Sequence, residues 1–408
     1  MSVALILSII LVFGGILLYS STAFARPQAQ LVTIGALAVL ILTLSFLSYY
    51  LQPVAGFYSD LQRITNEVRM IQQGQYAVIA HRYVLNPLSA PYIAIGALLN
   101  NVNALKFTSA LIMFWSLLYI PYDEWKNKQI SRQSFIFTVL LTITISNFAN
   151  YVFGVRQGPA CALAIVGAYL FIARDKRNIS IIILTIAILL HFSAIVIVFT
   201  IIVSKVRSSK LYIAICSISL LYTIISYVVI KALAATGNSF GSSLLGKMNG
   251  YYVFGTHFAL YASTLSQTIS YLRFLVCVMI LALYLYLYRG APKFHFAYIR
   301  FFIIMLAILV GSIPTGTPFR RFSMFALYAS IPLIGYILTP LLGQRNTYAN
   351  ITPAVTSRQF TRVKAQTAST FAHYFILLLL IVCIGTFVFY DWHSYSYFYV
   401  STHQIYQA

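Results

Sequence analysis

Apolar runs alternate with short polar breaks along almost the whole chain. The runs fall at residues 2–20, 31–50, 107–121, 134–153, 159–173, 179–203, 211–233, 266–288, 301–313, 322–342 and 372–390. Most approach the length of about 20 apolar residues that a helix needs to cross a bilayer. Only helices or closed barrels satisfy the backbone in lipid, and runs of this length predict helices. The expected fold is all-α, a polytopic integral membrane helical bundle of roughly 10–13 apolar segments forming a single membrane domain over 1–408. Three longer polar connections interrupt it, at 51–106, 234–265 and 343–371. No internal repeat or low-complexity tract is visible. The first run has no basic stretch before it, and Arg26 follows it. That order predicts a retained first helix with its N-terminus outside, not a cleaved signal.

Composition agrees with this picture. Hydrophobic residues make up 60% of the chain and charged residues 8%, against about 25% charged in soluble domains. The chain has 27 Lys and Arg, 6 Asp and Glu, and a net charge of +21. Such a balance can signal a nucleic-acid partner, but here the cations sit singly or in threes between apolar runs, as the positive-inside rule expects. No nucleic-acid partner is expected. Cys161, Cys216, Cys277 and Cys383 each lie alone inside an apolar run, with no metal spacing.

The basic loops set a topology. Both loops flanking 179–203 are basic, yet a single crossing would put them on opposite faces. A re-entrant hairpin turning near His191 and Ser193 removes the conflict; an ordinary crossing with a local charge violation is the alternative. With the hairpin, 51–106, 154–158, 234–265 and 314–321 face outward and 343–371 faces the cytoplasm. Ten cations then stand on the disfavoured outer side: Arg63, Arg69, Arg82, Lys106, Arg156, Lys231, Lys247, Arg273, Arg320 and Arg321. Each needs a reason to be there.

Four constellations could supply one. Gly154-Val155-Arg156-Gln157-Gly158-Pro159 places an arginine and a glutamine where Pro159 is expected to open a helix. A helix N-terminus favours an anion, and a guanidinium fork suits phosphate. A tight turn with Arg156 snorkelling to lipid phosphate is the plainer reading. Pro314-Thr315-Gly316-Thr317-Pro318-Phe319-Arg320-Arg321 repeats the logic, with Pro318 expected to open the helix. His191-Phe192-Ser193 puts an ionisable group inside an apolar run, where such groups are costly and usually functional. His191 could act as a base or as a donor to phosphate. Asp60-Leu61-Gln62-Arg63, with Glu67 following, offers either a surface ion pair at i, i+3 or a carboxylate for sugar hydroxyls. The aromatic residues around Tyr251 to Tyr261 fit an interfacial belt. There is no Walker loop, dinucleotide fingerprint, HExxH or paired-acid metal motif, and no cofactor or metal is expected.

These residues look familiar together. Gly154-Val155-Arg156-Gln157-Gly158-Pro159-Ala160, the basic break Arg174-Asp175-Lys176-Arg177 and His191-Phe192-Ser193-Ala194 resemble the EpsG-like group of Wzy-type polysaccharide polymerases. Ser59-Asp60-Leu61-Gln62-Arg63 is similar to an early Asp/Arg motif there, although Ile64 stands where many relatives have an aromatic residue. The resemblance implies a GT-C-like membrane glycosyltransferase of the bacterial cytoplasmic membrane. Its substrate would be an oligosaccharide repeat unit carried on undecaprenyl pyrophosphate, joined on the outer face into exopolysaccharide, capsule or O-antigen. A chain-length regulator and a flippase of the same pathway would be its partners, beside membrane lipid. In that scheme Arg156, His191 and Asp60 are the expected catalytic residues. Gln157, Ser193, Arg63, Arg320 and Arg321 are expected to bind substrate. The alternatives are a lipid-linked oligosaccharide flippase and an O-antigen-ligase-type transferase.

Overall fold

The computed structural model describes residues 12–17, 26–50, 60–146, 154–251, 264–288 and 293–342. The last apolar run at 372–390, the connection 343–371, Cys383 and most of the aromatic cluster after Tyr251 lie outside the described residues. Among the described residues every regular element is a helix, and the protein is an all-α polytopic membrane protein. Helices Gln28–Tyr50, Val102–Lys126 and Gln267–Leu287 and the run Gly316–Pro340 are long and apolar enough to cross a membrane. Six shorter apolar helices of 10–17 residues accompany them.

The described chain divides into two compact units. The first contains residues up to Leu163, the short stretch Leu189–His191 and the chain from Ile331 onward. Its helices are α1 (Arg26–Tyr50), α2 (Asp60–Gln72), α3 (Tyr76–Arg82), α4 (Ser89–Leu98), α5 (Val102–Lys126), α6 (Arg132–Ile145), the start of α7 (Gln157–Ala173), the end of α8 (Arg177–Leu190) and α16 (Ile331–Leu341). Helices α1 and α5 pack lengthwise, with Phe46 against Phe107 at 5.0 Å and Ser48 donating to the Lys106 carbonyl at 3.0 Å. Asn101 caps α5, accepting from the Asn103 N–H at 2.9 Å.

Two expectations change here. The connection 51–106 was expected as a polar outer loop, but residues 60–98 fold into three helices. Helix α2 is amphipathic: Leu61, Ile64 and Val68 lie along one stripe and are buried. They join Ile79, Tyr83, Ala90, Ile93, Leu105, Val155, Ala160 and Leu190 in one apolar cluster. The polar break between the runs 107–121 and 134–153 is shorter, because α5 continues through Pro121 to Lys126. Asp123 and Glu124 are therefore buried in its last turns and do not stand in solvent.

The second unit, Ala164–Ile188 and Phe192–Ser330, carries most of α7 and α8, then α9 (Ile195–Ser204), α10 (Ser209–Ser219), α11 (Tyr222–Ala235), α12 (Ser239–Tyr251), α13 (Thr264–Leu287), α14 (Lys293–Gly311) and α15 (Gly316–Ala329). The single crossing expected at 211–233 is instead a pair, α10 and α11, bent by 79°. Gly311 explains the close approach there. The Thr223 hydroxyl donates to the Gly311 carbonyl at 2.5 Å, and a Cβ on Gly311 would run into the Ser219 carbonyl and stand 2.8 Å from that of Leu220. Both obstacles are backbone and cannot swing away. Gly311→Ala is expected to cost roughly 1–3 kcal/mol as an overpacking strain. A melting curve in detergent checks this: a value equal to wild type would mean the bend does not rest on Gly311.

Candidate functional site

The first unit sets four charged side chains, Arg63, Glu67, Arg82 and Arg156, beside the apolar cluster of α2, α3 and α4. Because Leu61, Ile64 and Val68 face that cluster, the turn of α2 between them carries Arg63 and Glu67 to its edge. Glu67 is fully buried. Its carboxylate accepts from Arg82 Nη1 at 2.9 Å and from the Tyr83 hydroxyl at 2.6 Å. Arg63 Nε stands 3.9 Å away, one helical turn before it. Buried carboxylates survive only when paired in this way. The side chains of Arg63 and Arg82 are 38% and 46% exposed, so the acid is inside while its cations reach the surface.

Arg156 joins the same group. It is 7% exposed, and its guanidinium lies over the Tyr83 ring, 4.4 Å from the centroid. Nη1 donates to the Ser89 hydroxyl at 3.3 Å. That hydroxyl in turn donates to the Leu190 carbonyl at 2.9 Å, while the Leu88 N–H donates to the Leu189 carbonyl at 3.1 Å. The last carbonyls of α8 are thus satisfied by the start of α4. His191 follows directly, at the point where the chain leaves helical geometry before the 3-10 turn Phe192–Ala194. Val155, Ala160 and Leu190 all sit in the apolar cluster. Their burial is what brings Arg156 and His191 to its rim.

The two helix starts differ from expectation. Helix α7 begins at Gln157, two residues before Pro159, and the Arg156 carbonyl accepts the Ala160 N–H at 3.2 Å. Arg156 is therefore the capping residue. Pro159 has no N–H, and the Gly158 N–H is taken by the Gly154 carbonyl at 3.0 Å. The helix end offers an anion its dipole more than its donors, and the guanidinium carries the hydrogen bonding. In the second unit α15 begins at Gly316, again two residues ahead of its proline, Pro318, with Thr315 capping the Phe319 N–H at 3.1 Å. Proline is tolerated in both first turns because the N–H it lacks would have no partner within the helix.

In the first unit Arg63 and Arg156 both stand by the Glu67–Tyr83 pair, Gln157 follows Arg156 in the chain, His191 follows the Leu190 carbonyl that Ser89 holds, and Asp60 opens the helix that carries Arg63. The ion pair formed by Arg63 is with Glu67, four residues on. Ser193, Arg320 and Arg321 belong to the second unit, Ser193 in the 3-10 turn and both arginines partly exposed on α15. Sequence reasoning did not single out Arg82, Tyr83 and Ser89 as site residues, and it placed Glu67 only as a neighbour of Asp60. The usable signal for Glu67 was its rarity as one of six acids beside a surplus of outer arginines. No signal marked Ser89 or Tyr83.

Burial pushes the Tyr83 hydroxyl up to about 12; Arg156 and Arg63 oppose the rise, and the hydrogen bond to Glu67 adds to it. The neutral phenol is thus preferred in the folded state. Its stabilising contribution is complete below the ordinary value of 10.0 and is lost as pH rises through about 12. The stability difference between wild type and Tyr83→Phe should be constant from neutral pH up to about 10 and shrink above it. Chemical denaturation at a series of pH values reads this; a difference that shrinks below pH 9 would contradict the buried hydrogen bond.

Three guanidinium groups, on Arg63, Arg82 and Arg156, gather around the Glu67 carboxylate and the Tyr83 ring. A partly buried arginine cluster of this kind is suited to an anion such as a diphosphate diester. Among the described residues no group of His, Cys, Asp and Glu could hold a metal ion.

No curated protein and no solved structure matches the chain. The profile of the EpsG family matches residues 92–356, well over half of the sequence. The matched region contains Arg156, Gln157, His191, Ser193, Arg320 and Arg321; Arg63, Glu67, Arg82, Tyr83 and Ser89 precede it and are tied to it through Arg156. A multi-pass helical architecture and a family match of this extent lead to one conclusion: the chain belongs to the EpsG family, whose membership points to a polysaccharide-polymerase type of role in the membrane.

Proposed function

We propose that this protein is a membrane glycosyltransferase that joins oligosaccharide repeat units carried on undecaprenyl pyrophosphate, on the outer face of the bacterial cytoplasmic membrane. The growing chain is the donor and a new lipid-linked unit is the acceptor. An acceptor hydroxyl oxygen attacks the anomeric carbon of the donor, the bond from that carbon to the diphosphate breaks, and the diphosphate departs with the electron pair. The hydroxyl proton passes to a base. The observation that supports this reading best is the arginine at the start of α7, Arg156, held between the Tyr83 ring and Ser89 beside Arg63 and Arg82.

In this reading Arg156 meets the leaving diphosphate and stabilises the charge that develops on it. Arg63 and Gln157 extend the contact. His191, beside the Ser89 bridge, takes the acceptor proton or completes the grip; Asp60 at the head of α2 is the rival base. Ser193, Arg320 and Arg321 carry a substrate-binding role proposed for the second unit by itself. No nucleotide or metal is required, because the activated donor already carries its leaving group.

The test is a purified preparation supplied with lipid-linked repeat units and read by gel. A ladder of lengthening products, with release of free undecaprenyl pyrophosphate, is expected. Movement of intact units across proteoliposomes without chain growth would assign a flippase. Transfer of finished polymer to a different acceptor would assign a ligase.

His191→Ala and Asp60→Asn separate the two bases. Loss of the base is expected to lower the rate about 10²- to 10⁴-fold, and only one of the two variants should show it, in initial rates of chain growth. Equal and small effects from both would remove side-chain base catalysis from the scheme.

A further inference from the structure

The second unit poses a charge problem of its own. Its sequence, residues 164–188 and 192–330, holds fourteen Lys and Arg and one acid, Asp175. Asp175 is exposed and is engaged with Arg177 at 2.9 Å. A buried cation in this unit cannot therefore look to a carboxylate of the same unit.

Arg300 on α14 is such a cation, with only 9% of its surface exposed. Its guanidinium lies 4.0 Å from the centroid of the Tyr212 ring on α10 and 5.4 Å from that of Phe296, one turn back on its own helix. The Tyr212 hydroxyl donates to the Arg300 carbonyl at 2.9 Å, which fixes the ring under the charge. Ring contacts occupy the faces of a guanidinium, whereas its donors radiate from the edge. One edge nitrogen, Nη2, is buried and makes no hydrogen bond among the described residues. An unmet charged donor in an apolar setting is costly, so an acceptor from outside the chain would be strongly favoured. The flanks restrict its nature. Leu211, Ile213 and Phe296 are 52%, 62% and 61% exposed on the same two helices. That surface suits hydrocarbon, not a freely soluble ion.

We propose that Arg300, with the Tyr212 ring as its platform, binds the phosphate of an anionic phospholipid whose acyl chains run along Leu211, Ile213 and Phe296. An arginine fork is the side chain best matched to a phosphate, and basic pockets between membrane helices hold anionic headgroups on the same principle. The site does not depend on the diphosphate chemistry of the first unit.

Native mass spectrometry of the full chain in detergent, titrated with dioleoyl phosphatidylglycerol and separately with dioleoyl phosphatidylethanolamine, tests it. Wild type should retain a phosphatidylglycerol adduct about tenfold more strongly than the zwitterionic lipid, the order expected of one charge-assisted pair. Arg300→Gln should lose that preference, Arg300→Lys should keep part of it, and Arg207→Gln, in the exposed loop before α10, should keep all of it. Glycerol 3-phosphate should not displace the lipid. Unchanged adducts in folded Arg300→Gln would overturn the site. An equal loss in Arg207→Gln would reduce it to bulk charge, and displacement by glycerol 3-phosphate would make it a phosphate site without lipid; either result overturns the proposal. If Arg300→Gln does not fold, Tyr212→Ala takes its place, with a several-fold loss expected and an unchanged adduct contradicting the platform.

Discussion

Arg156→Ala should lower polymer formation by at least about 100-fold, the size of effect seen when one donor to a developing negative charge is removed. The reason lies in how the side chain is held. Its plane rests on the Tyr83 ring at 4.4 Å and Nη1 reaches Ser89 at 3.3 Å, so the fork is set before substrate arrives. A guanidinium fixed in advance costs no reorganisation during the reaction. Arg82 does not replace it, because its Nη1 is held by Glu67 at 2.9 Å, and Arg63 alone supplies only part of the grip. Removing Arg156 takes away the contacts to the Tyr83 ring and the Ser89 hydroxyl, so the variant is compared per folded molecule. Arg156→Lys should fall in between, since it keeps the charge and loses the bidentate geometry. Gel analysis of products from equal amounts of folded protein checks the series. Long chains from Arg156→Ala at the wild-type rate would remove this arginine from the chemistry.

The second large effect is expected at Glu67, and it should appear in both stability and activity. Glu67→Ala leaves Arg82 and the Tyr83 hydroxyl without their shared acceptor and Arg63 without its ion-pair neighbour. Breaking a fully buried ion pair costs about 3–5 kcal/mol. Here both arginine side chains are partly solvated, so roughly 1–3 kcal/mol is the better expectation. The group would also lose a negative charge and the anchor of the Tyr83 ring. Arg156 should then sit less well, and activity should fall beyond what the loss of folded protein explains. Glu67→Gln, which keeps an oxygen acceptor, should be the milder change. Tyr83→Phe separates the two roles. It keeps the platform under Arg156 and removes one hydrogen bond, so it should lose about 1 kcal/mol of stability and little activity. Tyr83→Ala should lose activity. Melting temperature together with initial rate on the same preparations decides the matter. A Glu67→Ala protein as active per folded molecule as wild type would contradict the positioning role.

Much of the helical architecture was legible in the sequence, because a run such as 31–50 has no stable form in lipid except a helix. What the sequence concealed followed from tertiary contacts. The bend between α10 and α11 rests on Gly311, some ninety residues away in the chain, and nothing in 211–233 announces it. The connection 51–106 reads as polar, yet the stripe Leu61, Ile64, Val68 gives it a buried face. At the site, Arg156 was visible because an arginine between glycines ahead of a proline is an unusual residue at the head of an apolar helix. Glu67 was half visible, through the scarcity of acids. Ser89 and Tyr83 were not visible, since a serine and a tyrosine mean nothing until the fold sets them against a particular guanidinium. Both prolines also misled by two residues, because a first helical turn tolerates proline at more than one position.

The account turns on whether the start of α7 receives a diphosphate. The direct measurement is equilibrium binding of undecaprenyl pyrophosphate to the full chain in lipid nanodiscs, followed for wild type, Arg156→Ala and Tyr83→Phe, with undecaprenol as the uncharged control. Wild type and Tyr83→Phe should bind the diphosphate with similar affinity, Arg156→Ala at least about tenfold more weakly, and none should distinguish itself on undecaprenol. Equal affinity of wild type and Arg156→Ala for the diphosphate would mean that the anion is held somewhere else, and the proposed chemistry of this cluster would fall.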